Sequence, residues 1–140
     1  MGKVIEKVKL TSLFDPTKTK EVEAIIDTGA TMLVLPQDVV DELDLKEIRK
    51  ATVEYANNQT QEKSIYAGLV IEIKGRVGNF EAVAEVSGSQ PLVGQIVLEA
   101  LDFVVDPSAR TLIPNPRSPE MPMVEIFMAT ACKSGYIVSP

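Results

Sequence analysis

Residues 24–30 read Ala24-Ile25-Ile26-Asp27-Thr28-Gly29-Ala30, an apolar run that ends on a carboxylate and turns at once through a glycine. Three consecutive aliphatic positions suit a buried strand. An acid at the end of such a strand sits where burial and backbone N–H groups tune its ionisation. Gly29 has no Cβ, so the amides that follow can approach the carboxylate closely. Thr28 adds a hydroxyl able to fix the loop. Taken alone, the stretch also reads as an Asp–Gly turn that merely closes a strand, with the acid capping it.

The composition around this stretch narrows its chemistry. The chain has 140 residues, enough for one domain with a single core, and 45% of them are hydrophobic against 24% charged, the balance of a soluble globular protein. Lys and Arg number 14 against 20 Asp and Glu, a net charge of −6 that argues against nucleic acid or an anionic membrane as the main partner. There is no His, which removes Ser-His-Asp and Cys-His catalysis and His-ligated zinc within one chain. The single Cys, Cys132, forms no intrachain disulfide or thiolate cluster and reads as a packed small hydrophobe. No apolar run approaches the roughly 18–20 residues that span a bilayer. MGKVIEKVKL carries no signal-peptide core, so a cytoplasmic location is expected. Chemistry without a cofactor then rests on carboxylates, hydroxyls and amines, and neither a metal nor a cofactor is expected.

Along the chain the hydrophobic pattern is mainly of period two. Strands are expected at Val4–Leu10, Lys20–Asp27 and Thr31–Leu35. Pro36 then suits the first turn of a short helix over QDVVDEL, residues 37–43. Ala51–Ala56 and Ser64–Lys74 read as strands flanking a polar hairpin tip, Asn57-Asn58-Gln59-Thr60-Gln61. After a turn at Gly75, Asn79–Val86 alternates again, Pro91–Gly94 is a short apolar strand, and Gln95–Leu101 a second helix. Phe103–Val105 and Thr111–Ile113 pair around Asp106-Pro107-Ser108-Ala109. Many short strands with two small helices predict an all-β closed or sandwiched sheet. Four prolines between Pro114 and Pro122 read as an exit from the core.

Two other chemistries begin with an apolar strand and an Asp. Dehalogenase-type phosphotransfer needs a second Asp two residues on, where this chain has Gly29. The phosphate loop of actin-like and sugar kinases matches Asp27, Gly29 and Thr31, but those folds need far more than 140 residues.

The motif instead resembles the active-site strand of the retropepsin-like aspartic proteases, the single-domain relatives of pepsin. The resemblance runs over residues 4–114 in the family order. Met32–Leu35 follows the catalytic loop, and a hairpin flap spans Val53–Tyr66. A long strand contains Leu69–Gly75, and Leu92-Val93-Gly94 leads into the helix Gln95–Glu99. It implies a closed acid-protease barrel with short helices and a β-hairpin flap, over residues 1–114. Residues 115–140 form a Pro-rich extension expected to pack at a dimer interface. Aspartic proteases use two carboxylates about 3 Å apart that share one proton, since like charges so close do not both ionise. Only one Asp-Thr-Gly is present, because Asp15, Asp102 and Asp106 lack the Thr-Gly that follows. The resemblance therefore implies a C2 homodimer in which Asp27 of each subunit activates water for attack on a peptide bond, with Thr28 cross-bracing the loops. Thr28, Gly29 and Ala30 form the active-site loop. Asn57, Asn58 and Gln59 at the flap tip, and Gln90 and Leu92 on the far wall, are the expected contacts to a peptide or protein substrate.

Departures from the family pattern are specific. Viral members carry acidic residues after the motif, paired with an Arg after the late Gly. Here Thr31 and Met32 stand in place of the acids, Gln95 follows Gly94, and a Thr31–Gln95 contact is expected to replace the ion pair. The flap tip has amides where viral flaps have glycines. A non-catalytic dimerisation or peptide-binding module on the same fold is the second reading; the intact charged motif speaks against it. Elsewhere, Glu72 reads as an outward charge, Tyr55 and Tyr66 as cover for the core or substrate contacts, and Met123–Met128 as an interface strand or helix.

Ala30 stands where pepsin-like enzymes often have Ser, so one hydroxyl that would stabilise the ionised carboxylate is missing. The expected outcome is a pH–rate profile less acid-shifted than pepsin's; a maximum below pH ~3 would contradict it.

Overall fold

The computed structural model describes residues 3–126, and β-strands dominate it. Among these residues nine strands and two short helices follow in chain order. Strands β1 (Ile5–Ser12) and β2 (Thr19–Ile26) form an antiparallel hairpin from Ile5↔Ile25 to Thr11↔Thr19. Val8, Leu10 and Ser12 of β1 and Ala24 and Ile26 of β2 point inward, as the alternation predicts, while Lys7 and Lys9 face out.

Next come β3 (Leu33–Pro36) and α1 (Gln37–Glu42), which buries Val39 and Val40. Pro36 caps the helix from an extended conformation and still pairs with Glu85, so it closes the strand rather than opening the first helical turn as expected. An arm follows, made of β4 (Lys46–Glu54) and β5 (Thr60–Ile73), and β6 (Arg76–Glu85) returns along β5. β7 (Leu92–Val93) and α2 (Gln95–Leu101) precede a closing hairpin, β8 (Phe103–Asp106) and β9 (Thr111–Pro114).

Seven strands form one sheet in the order β1-β2-β7-β3-β6-β5-β4, and β1 also pairs with β5, which closes the sheet into a barrel. The long β5 makes this possible. Its first half, to Ala67, pairs with β4, and its second half, Leu69–Glu72, takes Ser12–Lys9 of β1 on the same edge. The switch occurs at a bulge where Gly68 adopts φ +94° and its carbonyl accepts the Leu13 N–H at 2.7 Å. The positive φ favours glycine at this corner, and a Cβ there would lie 2.2 Å from the exposed Phe14 ring, which would have to turn aside. Inside the barrel Leu10, Leu33, Leu35, Ile71, Ile73 and Val93 are fully buried; each such side chain contributes about 1.5–3 kcal/mol of transfer free energy.

β4 begins five residues earlier than expected. Its first residues, Lys46-Glu47-Ile48-Arg49-Lys50, are exposed on both faces, so they pair through the backbone without the apolar alternation that marks a strand. β6 likewise starts at Arg76, which lies buried beneath α2 although it follows the Gly75 turn.

The Pro-rich segment also differs from expectation. Rather than leaving the core, residues 115–123 fold back onto the end of α2. Asp102 caps that helix in the left-handed conformation, φ 58°. Its buried carboxylate accepts bonds from Ser118 Oγ (2.5 Å), Asn115 Nδ2, Arg117 and the Met123 N–H (3.1 Å). Arg76 donates to the carbonyls of Leu101 (2.9 Å), Asp102 (3.0 Å) and Ser118, and stacks on Phe103. A buried carboxylate and guanidinium demand partners, and the proline-containing loop supplies them. The stripe at Phe127 and Met128, and Cys132, lie outside the described residues; Met123, Val124 and Ile126 are exposed.

Hydrogen bonds from Ser118 above all, helped by Arg117, Met123 and Asn115, hold the Asp102 carboxyl well below its usual 3.8 against the opposing effect of burial. A lowered folded-state value means stability that is complete above the unfolded value and is lost as pH falls through the folded one. Asp102→Asn is therefore expected to lower Tm clearly at pH 7. The gap from wild type should shrink progressively below about pH 4, measured by thermal melts across pH.

Candidate active site

Asp27 stands at the end of β2, half-buried, and its own N–H donates to the Val93 carbonyl at 2.9 Å. The chain then turns: the Ala30 N–H donates to the Asp27 carbonyl (3.1 Å), and the Gly29 N–H donates to Asp27 Oδ1 (2.9 Å). A Cβ on Gly29 would lie 3.2 Å from that oxygen, so the glycine lets the amide reach it. Among the described residues nothing donates to Oδ2, which leaves one carboxylate oxygen open.

The loop is held from behind by α2. This helix has no side-chain cap, and its first two N–H groups, of Gln95 and Ile96, donate instead to the carbonyls of Ala30 (2.7 Å) and Thr31 (3.0 Å). The two segments meet at Gly94. A Cβ there would sit 2.5 Å from the Met32 carbonyl oxygen and 2.7 Å from that of Ala30. The expected side-chain contact between Thr31 and Gln95 is not formed: the Gln95 amide donates to Glu99 Oε1 at 3.1 Å, one helical turn on. Main-chain bonds do the work expected of those side chains.

In front of the loop lies a cleft of about 800 Å³, walled by Asp27 and Gly29–Met32 on one side, β4 residues 51–54 with Tyr55 and Ala56 on another, and Ser89, Gln90 and Leu92 on a third. Gln90 and Leu92 line it. Gln90 also donates through Nε2 to the Glu23 carbonyl (2.9 Å), and Leu92 bridges Ile25 and Val34. Ala30 and Gly29 line the cleft, while Thr28 is exposed beside it.

Asn57, Asn58 and Gln59 lie at the tip of the arm, exposed and outside the cleft lining. There they build the turn. The Asn58 N–H donates to the Tyr55 carbonyl (2.9 Å), Asn58 takes φ 66°, and Asn57 Oδ1 accepts the Gln59 N–H (3.0 Å). Asn tolerates the left-handed position that a three-residue hairpin loop needs. The arm residues that line the cleft are instead Ala51–Ala56.

Glu72 is exposed, as expected. Tyr66 packs against the core and its hydroxyl accepts a bond from Gln37 Nε2 (3.3 Å), whereas Tyr55 faces the cleft. Two residues escaped the sequence reading: Glu85, whose carboxylate lines the cleft, and Lys63, which pairs with it at 2.9 Å. Glu85 shares the face of buried Val83 on β6, and an acid in that register was the available signal. Among the described residues no cluster of His, Cys, Asp and Glu is arranged to hold a metal ion.

Because backbone oxygens, not a movable side chain, surround Gly94, Gly94→Ala is expected to cost about 1–3 kcal/mol or more by forcing the loop and helix apart. Denaturant unfolding measures the loss.

Comparison with known proteins agrees with this geometry. The family model described as "gag-polyprotein putative aspartyl protease" matches residues 17–100, more than half of the chain. A search of curated proteins finds no match. The matched span runs from the start of β2 to α2 and so holds the Asp27 loop, the arm and the Gly94 crossing. The chain belongs to this retropepsin-like aspartyl protease family.

Proposed function

We propose that the protein is an aspartic endopeptidase that hydrolyses peptide bonds as a C2 homodimer. The observation that carries this reading is the Asp27 loop: an acid at the floor of an open cleft, one oxygen held by the Gly29 N–H and the other open. A single such carboxylate accounts for half of the chemistry. A second copy supplies the other, and two acids sharing one proton provide base and acid together. The ionised partner takes a proton from water, whose oxygen attacks the peptide carbonyl. The protonated partner donates to the oxygen that becomes negative.

Other features support the assembly. Thr28 is exposed next to Asp27, free to brace the partner's loop. Met121, Met123, Val124 and Ile126 present apolar side chains to solvent, a surface suited to burial between two subunits. On this reading residues 1–114 form the protease domain, and the extension from Asn115 onward contributes to the dimer interface. The arm acts as a flap over a bound peptide or protein substrate, which Gln90 and Leu92 contact, while Asn57, Asn58 and Gln59 approach it when the arm of a dimer closes. The enzyme works in the cytoplasm without metal or cofactor. Among the described residues no helix is long and apolar enough to cross a membrane.

Asp27→Asn is expected to lower cleavage of an internally quenched peptide library at least about hundredfold while leaving the fold intact, as circular dichroism would show. Wild-type protein should sediment as a dimer, and its specific activity should fall on dilution. An Asp27→Asn protein as active as wild type would overturn the reading. A dimer that neither cleaves peptides nor binds a statine-type transition-state mimic would favour the non-catalytic module.

A further inference from the structure

Glu85 is an acid that catalysis does not use, yet it lies in the cleft with its side chain only 18% exposed. It ends β6, at the point where β5 parts from β6 to become the arm: the last pair of that ladder is Ile65↔Val83, and Lys63 and Glu85 lie two residues beyond it along their strands. Both strands of the arm reach this carboxylate. Lys63 Nζ, on the returning strand, lies 2.9 Å from Oε1, and the Tyr55 hydroxyl, at the end of the outgoing strand, donates to Oε2.

The two donors are not level. Lys63 pairs with Ala51, and Tyr55 lies four residues farther toward the tip, about 13 Å along an extended strand. They converge on one carboxylate because the Tyr55 side chain reaches back from the tip toward the barrel. Lifting the tip breaks the tyrosine bond, whereas the Lys63 pair sits at the root of the arm and can persist.

We propose that Glu85 is a positioning residue that clasps the arm over the cleft through the Tyr55 hydroxyl, so that a peptide is held under the arm when this bond closes behind it. The inference rests on the peptidase reading of the cleft. Lys63 serves the clasp by keeping the acceptor charged. A bond to an ionised acceptor is about twice as strong as a neutral one. The bond in turn pushes the Tyr55 hydroxyl up to about 12, with burial and the Glu85 charge adding to the effect. Burial alone would raise the Glu85 carboxyl, but the bonds from Tyr55 and Lys63, the Lys63 charge and the Val86 N–H outweigh it and hold it below its usual 4.5. The clasp therefore stays chemically intact through the mildly acidic range where a shared-proton pair works.

Hydrogen exchange on full-length protein tests this without relying on catalysis. Tyr55→Phe keeps the ring and removes the donor, and Glu85→Gln keeps an acceptor but removes its charge. Amides of the arm, residues 51–61, should exchange about tenfold faster in Tyr55→Phe and by a smaller factor in Glu85→Gln, with β1 and β6 unchanged. With a quenched peptide, Tyr55→Phe should raise KM more than it lowers kcat. Arm amides at wild-type rates in both variants would overturn the proposal. So would equal acceleration in the barrel strands, which would mark a purely structural role, or faster arm exchange with KM unchanged. If the wild type cleaves no peptide, the exchange result alone decides the clasp, and the failure belongs to the peptidase reading.

Discussion

The rest of the molecule depends on a single close crossing of backbone against backbone. At Gly94 the chain passes the loop of residues 30–32 so tightly that no side-chain atom fits between them. That contact lets α2 give its first two N–H groups to the loop carbonyls, and it fixes where the Asp27 carboxylate points. A helix with no side-chain cap and a loop with unpaired carbonyls satisfy each other. The cost is a strict demand for glycine, because the neighbours are main-chain atoms that cannot turn away. The placement of Asp27 is therefore a property of packing between elements about 65 residues apart, not of the three-residue motif alone.

Polar groups buried outside this crossing organise the two ends of the molecule. At one end Asp102 and Arg76 collect the chain after β9, so that a segment rich in proline becomes part of the packed domain. At the other end Glu85 sits where the arm leaves the barrel and takes a donor from each of its strands. Both carboxylates are fully partnered, as burial requires. Their surroundings differ in consequence. Asp102 ties down backbone that does not line the cleft, whereas Glu85 ties the arm to the cleft wall.

Legibility in the sequence follows the physics of each element. β1, β2 and the second half of β5 have one face buried and one exposed, so their alternation marks them within a residue or two. The first half of β4 has both faces in solvent, and a strand held only by its ladder leaves no hydrophobic trace. The Asp-Thr-Gly motif was readable because it lies within consecutive residues. The cleft partners of Asp27 were less so. Gln90 and Leu92 follow from the resemblance, while at the tip of the arm Asn57 Oδ1 and the Asn58 backbone N–H build the turn. Lys63 and Glu85 lie 22 positions apart, and only the register of β5 against β6 brings them together.

By itself the sequence determined the family and the class of fold. Asp27-Thr28-Gly29 carries the motif of the aspartyl protease family, and period-two patterning with scattered turns makes a β-domain. These are local properties, written in composition and in residues that are neighbours along the chain. Closure of the sheet at Gly68, the crossing at Gly94, the return of the proline-rich segment to Asp102 and the meeting of Tyr55 with Glu85 were decided only by the tertiary structure. Each depends on a distance between atoms far apart in sequence. A glycine or a glutamate looks the same in the sequence whether solvent or another backbone stands in front of it.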